Sequence, residues 1–136
     1  MNIHPKKIQG DMRTLISTLW IFVMFNILAA DILSFMYPGF LKELMTGYAG
    51  PVEITPIFLL VAAVMLEIPI AMIVLSRVLK HKPNRYTNIV AGVITTAFVI
   101  FGGSTYPHYI FFATIETISL LLIIWLAWNW QNPDST

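Results

Sequence analysis

The sequence predicts an all-α membrane protein: a bundle of four transmembrane helices, both termini cytoplasmic, with a short amphipathic helix in the first outer loop. Three observations predict it. Of 136 residues, 57% are hydrophobic and only 11% charged, against roughly 45–50% and about 25% in soluble domains. The apolar residues gather into four stretches of about 20 residues or more, the length a helix needs to cross a hydrocarbon core of about 30 Å. Seven of the eight Lys and Arg fall on one side of those stretches. No ten-residue segments alternate with period two, so barrel strands are excluded. Helices satisfy their own backbone groups in lipid.

The N-terminal segment carries Lys6, Lys7 and Arg13, and the first span follows over 14–37. A cleaved leader would end near Ala29–Ala30, but the apolar run continues to Tyr37, so an uncleaved first helix is expected. The first connection reads PGFLKELMTGYAGPVEIT, with Pro and Gly as breakers. Within it Phe40, Leu41, Leu44 and Met45 suit a short amphipathic helix over the outer mouth of the bundle. The second span covers 56–79, the third 87–106 and the fourth 108–130, the last two joined tightly at Pro107. Arg77, Lys80, Lys82 and Arg85 crowd the second connection, whereas the first has only Lys42 and the third none. The positive-inside rule then places both termini and the second connection in the cytoplasm, in the inner (plasma) membrane of the cell. Trp125, Trp128 and Trp130 mark the inner end of the fourth span; Tyr37, Tyr106 and Tyr109 mark outer ends. No internal repeat divides the chain, so 1–136 reads as one domain.

A net charge of +1, with no basic stripe, excludes nucleic acid as a partner. The absence of cysteine excludes disulfide and thiol chemistry. No His and acid spacing resembles a metal triad, and no nucleophile–base pair stands out, so no metal, cofactor or catalytic residue is expected. The chemistry lies in three acids within the spans: Asp31, Glu67 and Glu116. An acid in a span costs about 2.5–3.5 kcal/mol on insertion scales and therefore turns toward protein or water. At about 1.5 Å per residue, Asn26 falls at mid-membrane with Asp31 further out, Glu67 lies near the midplane, and Glu116 slightly outside it. No Lys or Arg in a span can pair with them.

Glu67 shares a helical stripe with Ala63 and Ala71; Gly92, Thr96 and Gly103 form another small-residue face. Glu116 groups with Phe112, Ala113 and Ser119, and Asp31 follows Thr14, Ser17, Met24 and Leu28. The expectation is that all three acids face the interior, where with Asn26, Thr96 and Ser104 they line an acidic cavity. Glu67, the deepest, lies beside the backbone that Pro69 disturbs and is expected to be the most sensitive to substitution. The run GGSTYPHY brings hydroxyls and His108 to the outer mouth, where His108 reads as an interfacial ring. Protonated acids bonded across helices as polar glue are the competing reading.

The stretches TLWIFVMFNILAADILSFMYPGF, MLEIPIAMIVLSRVLK, NRYTNIVAG and PHYIFFATIE resemble a family of small uncharacterised bacterial four-helix membrane proteins, a domain of unknown function. That resemblance implies fold and topology and no activity. Asp31 followed by Pro38, and Glu67-x-Pro69, are similar to the sigma-2 receptor and emopamil-binding sterol isomerase superfamily. This second resemblance implies an intramembrane pocket for amines or sterols lined by carboxylates. The function expected is binding of a lipophilic or cationic small molecule. A structural accessory subunit of a membrane complex and a small proton-coupled transporter are the alternatives. The partners expected are the bilayer, the ligand, and a second copy or a larger membrane complex.

Overall fold

A computed structural model describes residues 5–132. It is all-α, 81% helical in five helices: α1 (Pro5–Met36), α2 (Phe40–Leu44), α3 (Pro56–Val78), α4 (His81–Phe101) and α5 (Pro107–Asn129). A two-stranded antiparallel hairpin, β1 (Tyr48–Ala49) and β2 (Val52–Glu53), lies between α2 and α3. The long helix α1 packs against α3 and α5, and α4 packs against the same two. Hydrogen bonds from Ser17 to Ile73, between Ser34 and His108, and from Arg85 to Ala127 fix these neighbours as antiparallel. The start of α1 and the end of α5 therefore share one end of the molecule, here the terminal end. The α2 helix and the hairpin occupy the opposite, loop end.

Helix bounds differ from the sequence expectation in two places. α1 begins at Pro5 rather than near Thr14, because Lys6, Lys7, Gln9 and Arg13 are good helix formers that extend the span. α4 begins at His81 rather than near Thr87 and ends at Phe101. Only Leu79 and Lys80 separate it from α3, and Gly102–Gly103 stop it early. The α4–α5 connection is correspondingly longer than expected, and Pro107 sits in the first turn of α5, where its missing N–H costs nothing. Thr55 caps α3 by accepting a hydrogen bond from the Phe58 N–H at 3.1 Å.

Among the described residues, α1, α3 and α5 are long and apolar enough to cross a membrane. α4 falls short because Lys82, Asn84, Arg85 and Asn88 occupy its first two turns.

The short helix expected in the first loop is present, but none of its residues is buried. Phe40 leans on Phe35 and meets Tyr106 edge-on, with ring centroids 6.0 and 6.1 Å apart. The hairpin was not expected from the sequence. It forms where Gly47 and Gly50 adopt φ of 86° and 58°, a region open to glycine. The Glu43 carboxylate ties it to α2 by accepting the Gly50 N–H at 2.6 Å.

The core includes Ile16, Trp20, Val23, Met24 and Ile27 of α1, Met72 of α3, Ala91 and Val99 of α4, and Leu120 and Ile123 of α5. Gly92 allows α4 to approach α5, since a Cβ there would lie 2.6 Å from Ile124 Cγ1. Trp130, expected as an interfacial ring, is only 3% exposed and joins this core, while Trp125 and Trp128 face outward. α3 contributes little: its fully buried residues are Pro69, Met72 and Ser76, and everything from Pro56 to Val61 is exposed.

Candidate functional site

Buried polar side chains collect in two places. α4 presents Asn84, Asn88 and Thr95 on one inward stripe with Ala91 and Val99, and Asn84 and Asn88 lie toward the terminal end. The Asn88 side-chain oxygen accepts from the Trp20 indole N–H at 2.7 Å and from the Ser76 hydroxyl at 3.1 Å. Its amide nitrogen donates to the Asn84 carbonyl and side-chain oxygens at 2.8 and 2.7 Å. Asn84 in turn donates to the carbonyls of Ser76 and Leu79. Ser17 donates to the Ile73 carbonyl and accepts from Arg77 Nε. These bonds join α1, α3 and α4 in a paired network, the arrangement of a structural clamp.

Toward the loop end lies the carboxylate of Glu116. It is 2% exposed, and its Oε1 has no hydrogen-bond partner. Neither α5 nor α1 beyond Arg13 carries a Lys or Arg that could pair with it. The Thr95 hydroxyl, 1% exposed, is also unpartnered in this interior. Tyr109 shares Glu116's face of α5 two turns away, and the Tyr109, Glu116 and Asp31 groups lie within electrostatic reach of one another. At the loop end, Ser34 Oγ and His108 Nε2 are 3.1 Å apart, and the His108 ring stacks on Tyr106, itself stacked on Tyr37. His108 is thus a packed aromatic of the loop end.

A groove of about 450 Å³ opens between the end of α4 and the first half of α5, lined by Val99, Gly103, Ser104, Tyr109, Ala113 and Thr117 among others. Glu116 does not line it, but Tyr109 and Ala113, on Glu116's own stripe of α5, do. The Ser104 hydroxyl is buried without a partner. A second, apolar groove of about 430 Å³ lies between α3 and α4, lined by Ile68, Met72 and Tyr86 among others.

The shared inward placement of the three acids is therefore corrected: Glu116 faces the interior, whereas Asp31 and Glu67 are exposed. Asp31 sits one position past the inward stripe of Ala30 and Ser34, which turns it about 100° away from the interior. Glu67 lies off the Pro69–Met72–Ser76 stripe that α3 buries, on the side of exposed Ala63. Of the remaining expected residues, Asn26 is buried, and its amide donates back to the Phe22 carbonyl at 2.8 Å. Thr96 is half-buried and bonded to the Gly92 carbonyl at 2.7 Å; its neighbour Thr95 is the one that faces inward. Ser104 lines the groove. The sequence reading missed Asn84, Asn88 and Thr95, although their spacing with Ala91 and Val99 is that of one helix face. Among the described residues, no three His, Asp or Glu side chains come together as metal ligands.

No curated protein and no solved structure matches the chain. A family model does, over residues 2–136, and it is that of a family of unknown function. The chain belongs to this family, DUF6326.

Proposed function

We propose that the protein crosses the membrane four times, with both termini cytoplasmic, and binds a lipophilic amine or another cationic small molecule at Glu116. The observation that carries this reading is the buried Glu116 Oε1 without a hydrogen-bond partner or a basic neighbour. A buried carboxylate left unpaired is costly, and a ligand cation is the partner that offsets this cost. The groove beside it supplies apolar walls from Val99, Ile110 and Ile118, with the Ser104 and Tyr109 hydroxyls at hand. Such a mixture suits a ligand with an apolar body and one polar head.

The remaining span is α4, whose hydropathy is lowered by Lys82, Asn84, Arg85 and Asn88 in its first two turns, with Asn84 and Asn88 turned inward and bonded. Its lipid-facing residues, such as Val90, Val93 and Ile100, are apolar. The seven-to-one split of basic residues supports the orientation.

A second reading, association with another membrane helix as an accessory subunit or homodimer, is favoured by Glu67. This acid is exposed on α3 beside Ala63, where a neighbouring helix can approach closely. A thermal-shift panel of lipophilic amines, sterols and quinones against the purified protein tests the binding reading. Stabilisation by amines supports it. No shift with any compound, together with a stable dimer or larger complex, favours the accessory reading.

A further inference from the structure

The terminal end contains a second group of unpartnered polar atoms, far from Glu116. Gln9 Nε2, Arg13 Nε and Trp130 Nε1 are all buried without an acceptor, and His81 Nδ1 is also buried without a partner. Their convergence follows from the packing. Gln9 and Arg13 are one turn apart on one face of α1, flanking Met12, which packs against the cluster that contains Ile16 and Trp130. Counted inward from the Ser34–His108 contact along antiparallel α1 and α5, Arg13 comes level with the last turn of α5. His81 closes the group from α4: its Nε2 donates to the Trp130 carbonyl at 3.1 Å, with the two rings edge-on at 5.1 Å.

We propose that Gln9, Arg13 and Trp130, with His81 at the edge, form an anion site for a phosphate group. Three of the four orphaned atoms are permanent donors, so the missing partner is an acceptor. The fourth, His81 Nδ1, lies at the edge and is not counted among the donors. Trp130 is 3% exposed, so water cannot freely satisfy its indole N–H. The surroundings are cationic: Lys6, Lys7, Lys80, Lys82 and Arg85 lie at this end, and among the described residues Asp11 is its one acid. Tetrahedral oxygens spread over several donors are what phosphate offers to a guanidinium, an amide and an indole together. The phosphodiester of an anionic phospholipid headgroup and free phosphate share this chemistry.

The test uses the full chain labelled with ¹⁵N-tryptophan in phosphate-free detergent micelles, where the four tryptophans give four indole signals. Trp130→Phe assigns the relevant one. Inorganic phosphate, or phosphatidylglycerol added to the micelles, should shift the Trp130 signal and leave the Trp20 signal in place. A response to inorganic phosphate assigns free phosphate as sufficient; a response only to phosphatidylglycerol assigns the headgroup. Arg13→Gln should raise the half-saturating concentration about tenfold, the effect of one charge-assisted hydrogen bond. An unchanged Trp20 signal certifies that the variant is folded. Absence of any Trp130 shift with both probes, or an undiminished response in Arg13→Gln, overturns the proposal.

Discussion

The buried amide of Asn88 joins three helices through four hydrogen bonds, and replacing it tests how the helices are held together. Asn88→Leu conserves volume but removes the acceptor used by the Trp20 indole and the Ser76 hydroxyl. It also removes the donor used by the Asn84 side chain. Ser76 can turn its hydroxyl to a carbonyl of its own helix, but the wholly buried Trp20 indole has Asn88 as its hydrogen-bond acceptor and is closed to water. A buried donor left unpaired costs about 1–3 kcal/mol, and an interhelical hydrogen bond in a membrane protein averages about 0.6 kcal/mol. We expect Asn88→Leu to cost about 2–4 kcal/mol and Ser76→Ala less than about 1 kcal/mol, because the latter leaves the Trp20–Asn88 bond intact. The double variant should be no less stable than Asn88→Leu alone, because the hydroxyl has already lost its partner. Equilibrium unfolding in detergent micelles measures all three. Asn88→Leu costing no more than Ser76→Ala, or additive losses in the double variant, would mean that the Trp20–Asn88 bond does not hold these helices together.

Four further outcomes follow from the packing and the topology. Gly92→Ala should cost about 1–3 kcal/mol in the same unfolding assay, because its Cβ meets Ile124 at 2.6 Å, and Ile124→Val should restore part of the loss. Arg85→Gln removes the bonds to the Ala127 and Trp128 carbonyls, so amide exchange in the last turn of α5 should accelerate while the α1 core is unaffected. Single cysteines at positions 48 and 82 should be labelled from the outside and the cytoplasm respectively; the reverse pattern would remove the proposed orientation. Glu67→Leu should change the stability of the monomer by less than about 0.5 kcal/mol, since its side chain is exposed. A larger loss accompanied by dissociation of a dimer would favour the association reading.

The helical class and most helix bounds were legible because long apolar runs admit few alternatives. α3 and α5 start and stop within a residue of expectation. The start of α4 was not legible from hydropathy, because Asn84 and Asn88 look like loop residues until a neighbouring helix supplies their partners. Which acid faces inward was harder still. Adjacent residues on a helix differ by about 100°, so Ala30 buried and Asp31 exposed is a distinction that 3–4 spacing alone does not resolve. The stripe chosen for Asp31 ran through Thr14 and Leu28, both of which the fold leaves exposed. Trp130 was misplaced by a general preference of indoles for interfaces, which says nothing of a ring that caps the end of a core. The Asn84–Asn88–Thr95 face was visible in the spacing and passed over because amides and hydroxyls in a span look weak beside carboxylates.

Isothermal titration of one lipophilic amine into wild type, Glu116→Gln and Glu67→Gln in micelles tests whether Glu116 holds the ligand. Glu116→Gln preserves shape and removes the charge, so affinity should fall about 30-fold or more, from at least about 2 kcal/mol for a buried charge that loses its partner. Glu67→Gln, on the exposed face of α3, should bind as wild type does. Equal affinity for wild type and Glu116→Gln, or a loss confined to Glu67→Gln, would contradict the assignment of the site to Glu116.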